Sequence, residues 1–153
     1  MKYVCLTLLV LSASSPAVAV SQDTLDAIAT AEVEQKIPHG LLRALCMSES
    51  SLNPGAINKY DGGSASYGLC QIKVSTLHIK GIFGTVSYTS RDLMNPWINA
   101  YLSSKYLKHQ LKRYNGSVRK ALSAYKSGHY TPKNKKYVDR VVNYEKKSTK
   151  KGA

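Results

Sequence analysis

A densely apolar helical segment constrains the fold of this chain more than any other feature. Residues 39–50 contain Leu41, Leu42, Ala44, Leu45, Cys46 and Met47. A helix so rich in apolar side chains must be largely buried. Other helices are available to cover it. Leu25, Ile28, Ala29, Glu32 and Val33 follow helical spacing from about Asp23 to Lys36, with Glu32 the polar exception. Pro38-His39-Gly40 breaks the chain before the apolar segment. Asn95-Pro96 opens a long helix, with Asn as N-cap and Pro at the first helical position. Trp97, Ala100, Tyr101, Ser104, Leu107, Leu111 and Tyr114 form one stripe along it, and Asn115-Gly116 ends it. Ser117 caps a further helix through Lys126, with Val118, Ala121, Leu122 and Tyr125 on one side. A last helix is expected from about Asn134 to Glu145, using Tyr137, Val138, Val141 and Val142. Residues 51–66 are turn-rich, with Asn53-Pro54-Gly55 and Asp61-Gly62-Gly63. A short extended piece, Tyr67 to Val74, follows, and residues 79–91 are weakly patterned. The expectation is a mainly α, single-domain protein with a small irregular or β segment near residues 60–74. A length of 153 residues suits one domain, and 43% hydrophobic residues suffice for a packed core.

The N-terminus predicts export. Lys2 supplies a positive start, Val4 to Leu11 is apolar, and Ala17-Val18-Ala19 is an A-x-A cleavage site. The apolar run falls well short of the ~20 residues that a spanning helix needs, so cleavage is expected in place of anchoring. Cys5 lies at the start of that run, where a lipidated cysteine would not. Residues 1–19 are thus read as a signal peptide, 20–145 as the domain and 146–153 as a basic tail. Localisation in the periplasm follows, with no stable membrane insertion after cleavage. Cys46 and Cys70 then remain as an even pair in a compartment that permits disulfides. Spacing alone does not decide between a bridge and two buried thiols.

Charge narrows the partners without naming one. Lys and Arg number 22 against 9 Asp and Glu, a net +13. Such a chain suits nucleic acid, a membrane surface or an acidic polymer. Residues 133–153 hold seven Lys and one Arg against Asp139 and Glu145, a net +6. No metal-ligand spacing is visible among His39, His78, His109 and His129, and no phosphate-binding glycine loop, so no cofactor is expected.

Glu49 is the acidic residue in an unusual place. It lies four residues after Leu45, three after Cys46 and seven after Leu42, which puts it on an apolar face at the end of a buried helix. Burial and the negative end of the helix dipole both disfavour its charged form and raise its pKa above the ~4.3 of a free Glu. A carboxylic acid that keeps its proton near neutral pH can protonate a leaving group. From position alone, a structural glutamate paired with Arg or Lys, or a frayed and exposed helix end, is the better fit, and the residues that follow Glu49 change that balance.

Four segments carry a family resemblance. Glu49-Ser50-Ser51-Leu52-Asn53-Pro54-Gly55-Ala56 resembles the E-S-x-x-N-P-x-A segment of lytic transglycosylases with the soluble-lytic-transglycosylase (SLT) domain, which has a lysozyme-like fold. Tyr67-Gly68-Leu69-Cys70-Gln71-Ile72 resembles that family's G-L-M-Q-I segment. Trp97-Ile98-Asn99-Ala100-Tyr101-Leu102 is loosely similar to N-I-x-x-G-x-x-Y-L, and Ala121 to Gly128 is similar to A-L-A-A-Y-N-A-G. Together they cover roughly residues 38–145 in the family's order. The resemblance implies that Glu49 is the catalytic acid and then base, acting on the bond between N-acetylmuramic acid and N-acetylglucosamine with a 1,6-anhydro product. It implies substrate contact for Ser50, Asn58, Tyr67, Gly68, Gln71 and Tyr125, with the Tyr125 phenol orienting the Glu49 carboxyl. Gly68 would let backbone pass close to a sugar or to the helix end. A disulfide between Cys46 and Cys70, bracing the catalytic helix, is a further expectation.

Departures from the pattern sharpen the comparison. Lys126 stands where the family usually has Asn, Cys70 where it has Met, and Asn58 where several relatives have Ser. The longer spacing from Glu49 to Gly68, including Tyr60-Asp61-Gly62-Gly63, is similar to the small members that accompany secretion and conjugation machines. The expected partners are therefore peptidoglycan glycan strands and such a machine, with no nucleic acid, and the chain is expected to act as a monomer. Two alternatives stand beside this reading. One is a hydrolysing muramidase of related fold, with Asp61 as second carboxylate. The other is a basic, non-catalytic wall-binding protein.

Overall fold

A computed structural model describes residues 19–61 and 63–150. The signal-peptide expectation falls almost entirely on residues 1–18, outside the described residues. Five helices dominate: α1 (Gln22–Gln35), α2 (Leu41–Ser50), α3 (Pro96–Arg113), α4 (Val118–Ser127) and α5 (Lys135–Lys150). Three short strands, β1 (Ile57–Asp61), β2 (Ser64–Tyr67) and β3 (Ile72–Lys73), form one antiparallel sheet in that order. The fold is mainly α with a small sheet, as expected. Among the described residues no helix is long and apolar enough to cross a membrane.

The apolar helix is covered as its composition demands. Leu41, Leu42, Leu45 and Cys46 of α2 are fully buried. α2 packs chiefly on α5, while α3 packs on α1 and α4. The N-cap of α3 is Asn95, whose side chain accepts from the Trp97 and Ile98 amides, and Pro96 stands at its first position.

Several expectations change in detail. In α1 the buried face is Thr24, Ala27, Ile28, Ala31 and Glu32, and Ala29 and Val33 face outward. Trp97 and Tyr101 of the expected α3 stripe are also exposed. α3 buries Ala100, Ser104, Leu107 and Leu111 of that stripe, and beyond it Asn99, Leu102, Ser103, Tyr106 and Gln110, because neighbours contact it around much of its circumference. The stretch read as turn-rich contains β1 and the start of β2, paired with an irregularity between Asn58 and Asp61. α5 runs on to Lys150, so helix takes in residues expected to lie in the tail.

Glu32 shows what a buried acid does when its role is structural. Its carboxylate accepts hydrogen bonds from the backbone N–H groups of Gly40 (2.8 Å), Leu42 (2.9 Å) and Arg43 (3.2 Å). These are donors that the first turn of α2 leaves without helical partners. Gly40, the N-cap, has no side chain to serve them. A negative charge at this positive helix end is also favoured electrostatically.

Candidate active site

Glu49 sits at the opposite end of the same helix, where the backbone N–H groups of Ser51 and Leu52 cap the last carbonyls and no main-chain donor is left for a carboxylate in the manner of Glu32. α2 stops through two consecutive left-handed residues, Ser51 (φ 58°) and Leu52 (φ 63°), which turn the chain sharply away. Glu49 is left half-buried and lines a groove of about 350 Å³. Gln71, Lys73 and Thr76 line the groove from the strand side, Tyr106 from α3, and Tyr125, Lys126 and Gly128 from the end of α4. Glu49 is the one carboxylate among the described residues lining it.

Tyr137 of α5 is a hydrogen-bond partner that orients Glu49. Its phenol donates to Glu49 Oε1 at 2.6 Å. Burial, and then the negative charge of Glu49, push the Tyr137 phenol well above its ordinary pKa. It therefore stays protonated and remains a donor. The expectation that Tyr125 does this work is corrected. The Tyr125 hydroxyl donates to the Cys70 carbonyl at 3.1 Å, and its ring packs on Tyr106 at 5.2 Å between centroids. Burial raises the Tyr125 phenol too, so it also holds its proton. Tyr125 thus braces the Cys70 loop and lines the groove beside Glu49.

The other residues expected at the site divide into two groups. Gln71 lines the groove in a left-handed conformation (φ 53°). Its Nε2 donates to the carbonyls of Gly68 (2.9 Å) and Ala56 (3.2 Å), and its Oε1 accepts from Ser66 Oγ (3.0 Å). An amide has two donors, so Gln71 keeps only acceptor capacity on Oε1 for a ligand. Ser50, Asn58, Tyr67 and Gly68 are not among the groove's lining residues. Ser50 Oγ donates to the Leu69 carbonyl at 2.6 Å and ties the end of α2 to the loop. Asn58 Oδ1 accepts from the Tyr60 amide within the hairpin. The Tyr67 carbonyl accepts from Asn99 Nδ2. Gly68 is glycine because Leu93 and Asn99 lie against it. Asp61 ends β1, and its side chain lies outside the described residues.

Asn99 was not singled out in the sequence, yet it fastens the loop. It is fully buried, donates to the Tyr67 and Leu93 carbonyls, and accepts from the Cys70 amide at 2.9 Å. Cys70 is also joined to Cys46 by a disulfide, with Cα atoms 4.2 Å apart. The bridge cross-links α2, one turn before Glu49, to the loop that carries Gln71. Closing a loop of this length is worth about 3 kcal/mol, or roughly 10 °C in melting temperature. A reductant should lower the melting point by about that much. Two titratable thiols in the unfolded, unreduced protein prepared without residues 1–19, with no reductant effect, would exclude the bridge.

Comparison with known proteins places this arrangement. The chain belongs to the transglycosylase SLT domain family, whose model matches residues 26–148. The chain is similar to "Protein IpgF" of Shigella flexneri, with 33% identity over 101 residues. It is similar to the same extent to "Protein IpgF" of Shigella sonnei. Each match covers 65% of this chain and 63% of the relative, so less than two thirds of those proteins is represented.

Proposed function

We propose that this protein is a peptidoglycan lytic transglycosylase with Glu49 as its general acid and base. The observation that carries the reading is the Glu49–Tyr137 pair at the groove, in a chain of the SLT family. Glu49 protonates the glycosidic oxygen between the muramoyl and glucosaminyl sugars as the C1–O bond breaks. The C6 hydroxyl of the muramoyl sugar then attacks C1 and returns its proton to Glu49, closing a 1,6-anhydro ring. No water enters. A standard glycosidase needs two carboxylates flanking the bond. Here the substrate's hydroxyl and N-acetyl group replace the second, which fits a groove with one described carboxylate.

Both protonation states of Glu49 have support. Partial burial and the C-terminal end of α2 favour the neutral acid. The Tyr137 phenol favours the carboxylate, since it donates to Oε1. An acid that must become a base needs neither state to dominate. Tyr137→Phe should therefore lower the rate about tenfold by releasing the carboxyl. It should also move the alkaline limb of the pH–rate profile upward, because the ionised form loses its donor. An unchanged rate and profile would remove Tyr137 from the mechanism.

The signal-like N-terminus supports work in the periplasm, and the resemblance to small specialised members supports a secretion or conjugation machine as partner. Incubation with purified, insoluble peptidoglycan tests the enzymatic reading. A transglycosylase releases soluble fragments. A non-catalytic wall binder sediments with the wall and releases none.

A further inference from the structure

The proposed bond-breaking chemistry uses one carboxyl and one phenol, but the groove also carries ammonium groups. Lys126, in the last turn of α4, is exposed and lines the groove. Its Nζ lies 4.8 Å from the centre of the Tyr137 ring, and the Tyr137 hydroxyl holds Glu49. Those two contacts in series keep the ammonium within about 10 Å of the carboxyl, roughly one Debye length at 0.1 M salt. Lys73 of β3 lines the same groove. The described lining therefore holds two cations and, in Glu49, a single acid that is itself the reacting group.

A neutral glycan gives the exposed Lys126 ammonium little to do. Its hydroxyl and N-acetyl groups are met as well by uncharged donors. The muramoyl sugar, however, carries a lactyl group that is extended by a stem peptide with free carboxylates. Resting on the peptidoglycan reading above, we propose that Lys126 is a specificity-determining residue that pairs with a stem-peptide carboxylate. The site then selects anionic, peptide-bearing strands over neutral ones. The side chain suits the task. An ammonium on a flexible stem acts as a point charge with long reach. An exposed cation–π contact holds it over Tyr137 only weakly, so a carboxylate can draw it away. The C-terminal end of α4 favours a lysine in its last turn. That effect alone does not require the side chain to point into the groove.

The test compares two glycan substrates of equal length: native peptide-bearing strands, and the same strands with carboxyls converted to primary amides. Steady-state constants are measured for the wild-type protein, Lys126→Gln and Lys126→Arg. The wild type should show a KM about three- to fivefold lower for native strands, a preference that shrinks in high salt. Lys126→Gln should bring the ratio close to one by raising KM on native strands, and Lys126→Arg should keep the preference. A preference that survives Lys126→Gln overturns the proposal. So does an equal fall in kcat on both strands, which would mean that Lys126 acts through Tyr137. A wild type that treats both strands alike overturns the proposal and leaves the transglycosylase reading standing. A wild type that cleaves neither overturns both.

Discussion

Glu49→Gln is expected to lower wall lysis by about 10²–10⁴-fold while the protein stays folded. Glutamine has nearly the same shape and retains a carbonyl oxygen to accept from the Tyr137 phenol, so the contact between α2 and α5 can persist. What it lacks is the proton that the leaving oxygen must receive. The fold has no need of that proton, because the helix end is closed by Ser51 and Leu52 and pinned by Ser50 to Leu69. Melting curves and loss of turbidity of a wall suspension, measured on the same preparation, check both halves. Lysis near the wild-type rate would remove Glu49 from the chemistry.

The largest expected effect on stability comes from Gly68→Ala. Its backbone is left-handed (φ 73°), and an added Cβ would lie 2.0 Å from the Leu93 carbonyl oxygen and 2.5 Å from Asn99 Nδ2. Neither neighbour can yield cheaply. One is backbone, and the other is a fully buried amide engaged by three main-chain groups. A loss of about 3–5 kcal/mol follows, or roughly 10 °C or more in melting temperature. Gly81→Ala is the control. It has a similar φ of 80° but meets nothing within 4 Å, so it should lose only about 1 kcal/mol. Equal melting points for the two variants would show that the packing at Gly68 has been misjudged. The damage should extend to activity, because the Gly68–Gln71 turn carries one wall of the groove.

The helices are legible in the sequence from their breakers and apolar spacing, although the spacing misplaces part of the buried face in α1 and α3. Asn95-Pro96 and Ser127-Gly128 mark boundaries that the structure keeps within a residue or so. β1 was not legible. Ile57-Asn58-Lys59-Tyr60 is exposed throughout, so no buried face imposes an alternation on it. Both apolar-face acids were visible, but their roles were not equally so. Glu32 reads only as an exception on a stripe until α2 is brought against it. Glu49 declares itself because helix end, burial and a following Asn-Pro turn coincide. Its orienting phenol was missed for a topological reason. Tyr137 is 88 residues away and looks like one more core position on α5. The signal was a tyrosine on a stripe otherwise made of valines, since a buried phenol needs a partner. The glycine and glutamine of the loop were legible as special residues. Their purpose was not, because both serve contacts with Leu93, Asn99 and Ala56 that only the tertiary fold creates.

The central claim is that one carboxyl suffices because the substrate supplies its own nucleophile. Digestion of purified peptidoglycan in water enriched with heavy oxygen, followed by mass spectrometry of the fragments, tests it most directly. The account predicts new muramoyl ends in the 1,6-anhydro form, lighter than a reducing end by one water and carrying no heavy oxygen. Reducing muramoyl ends labelled with heavy oxygen would contradict it and identify a hydrolysing muramidase.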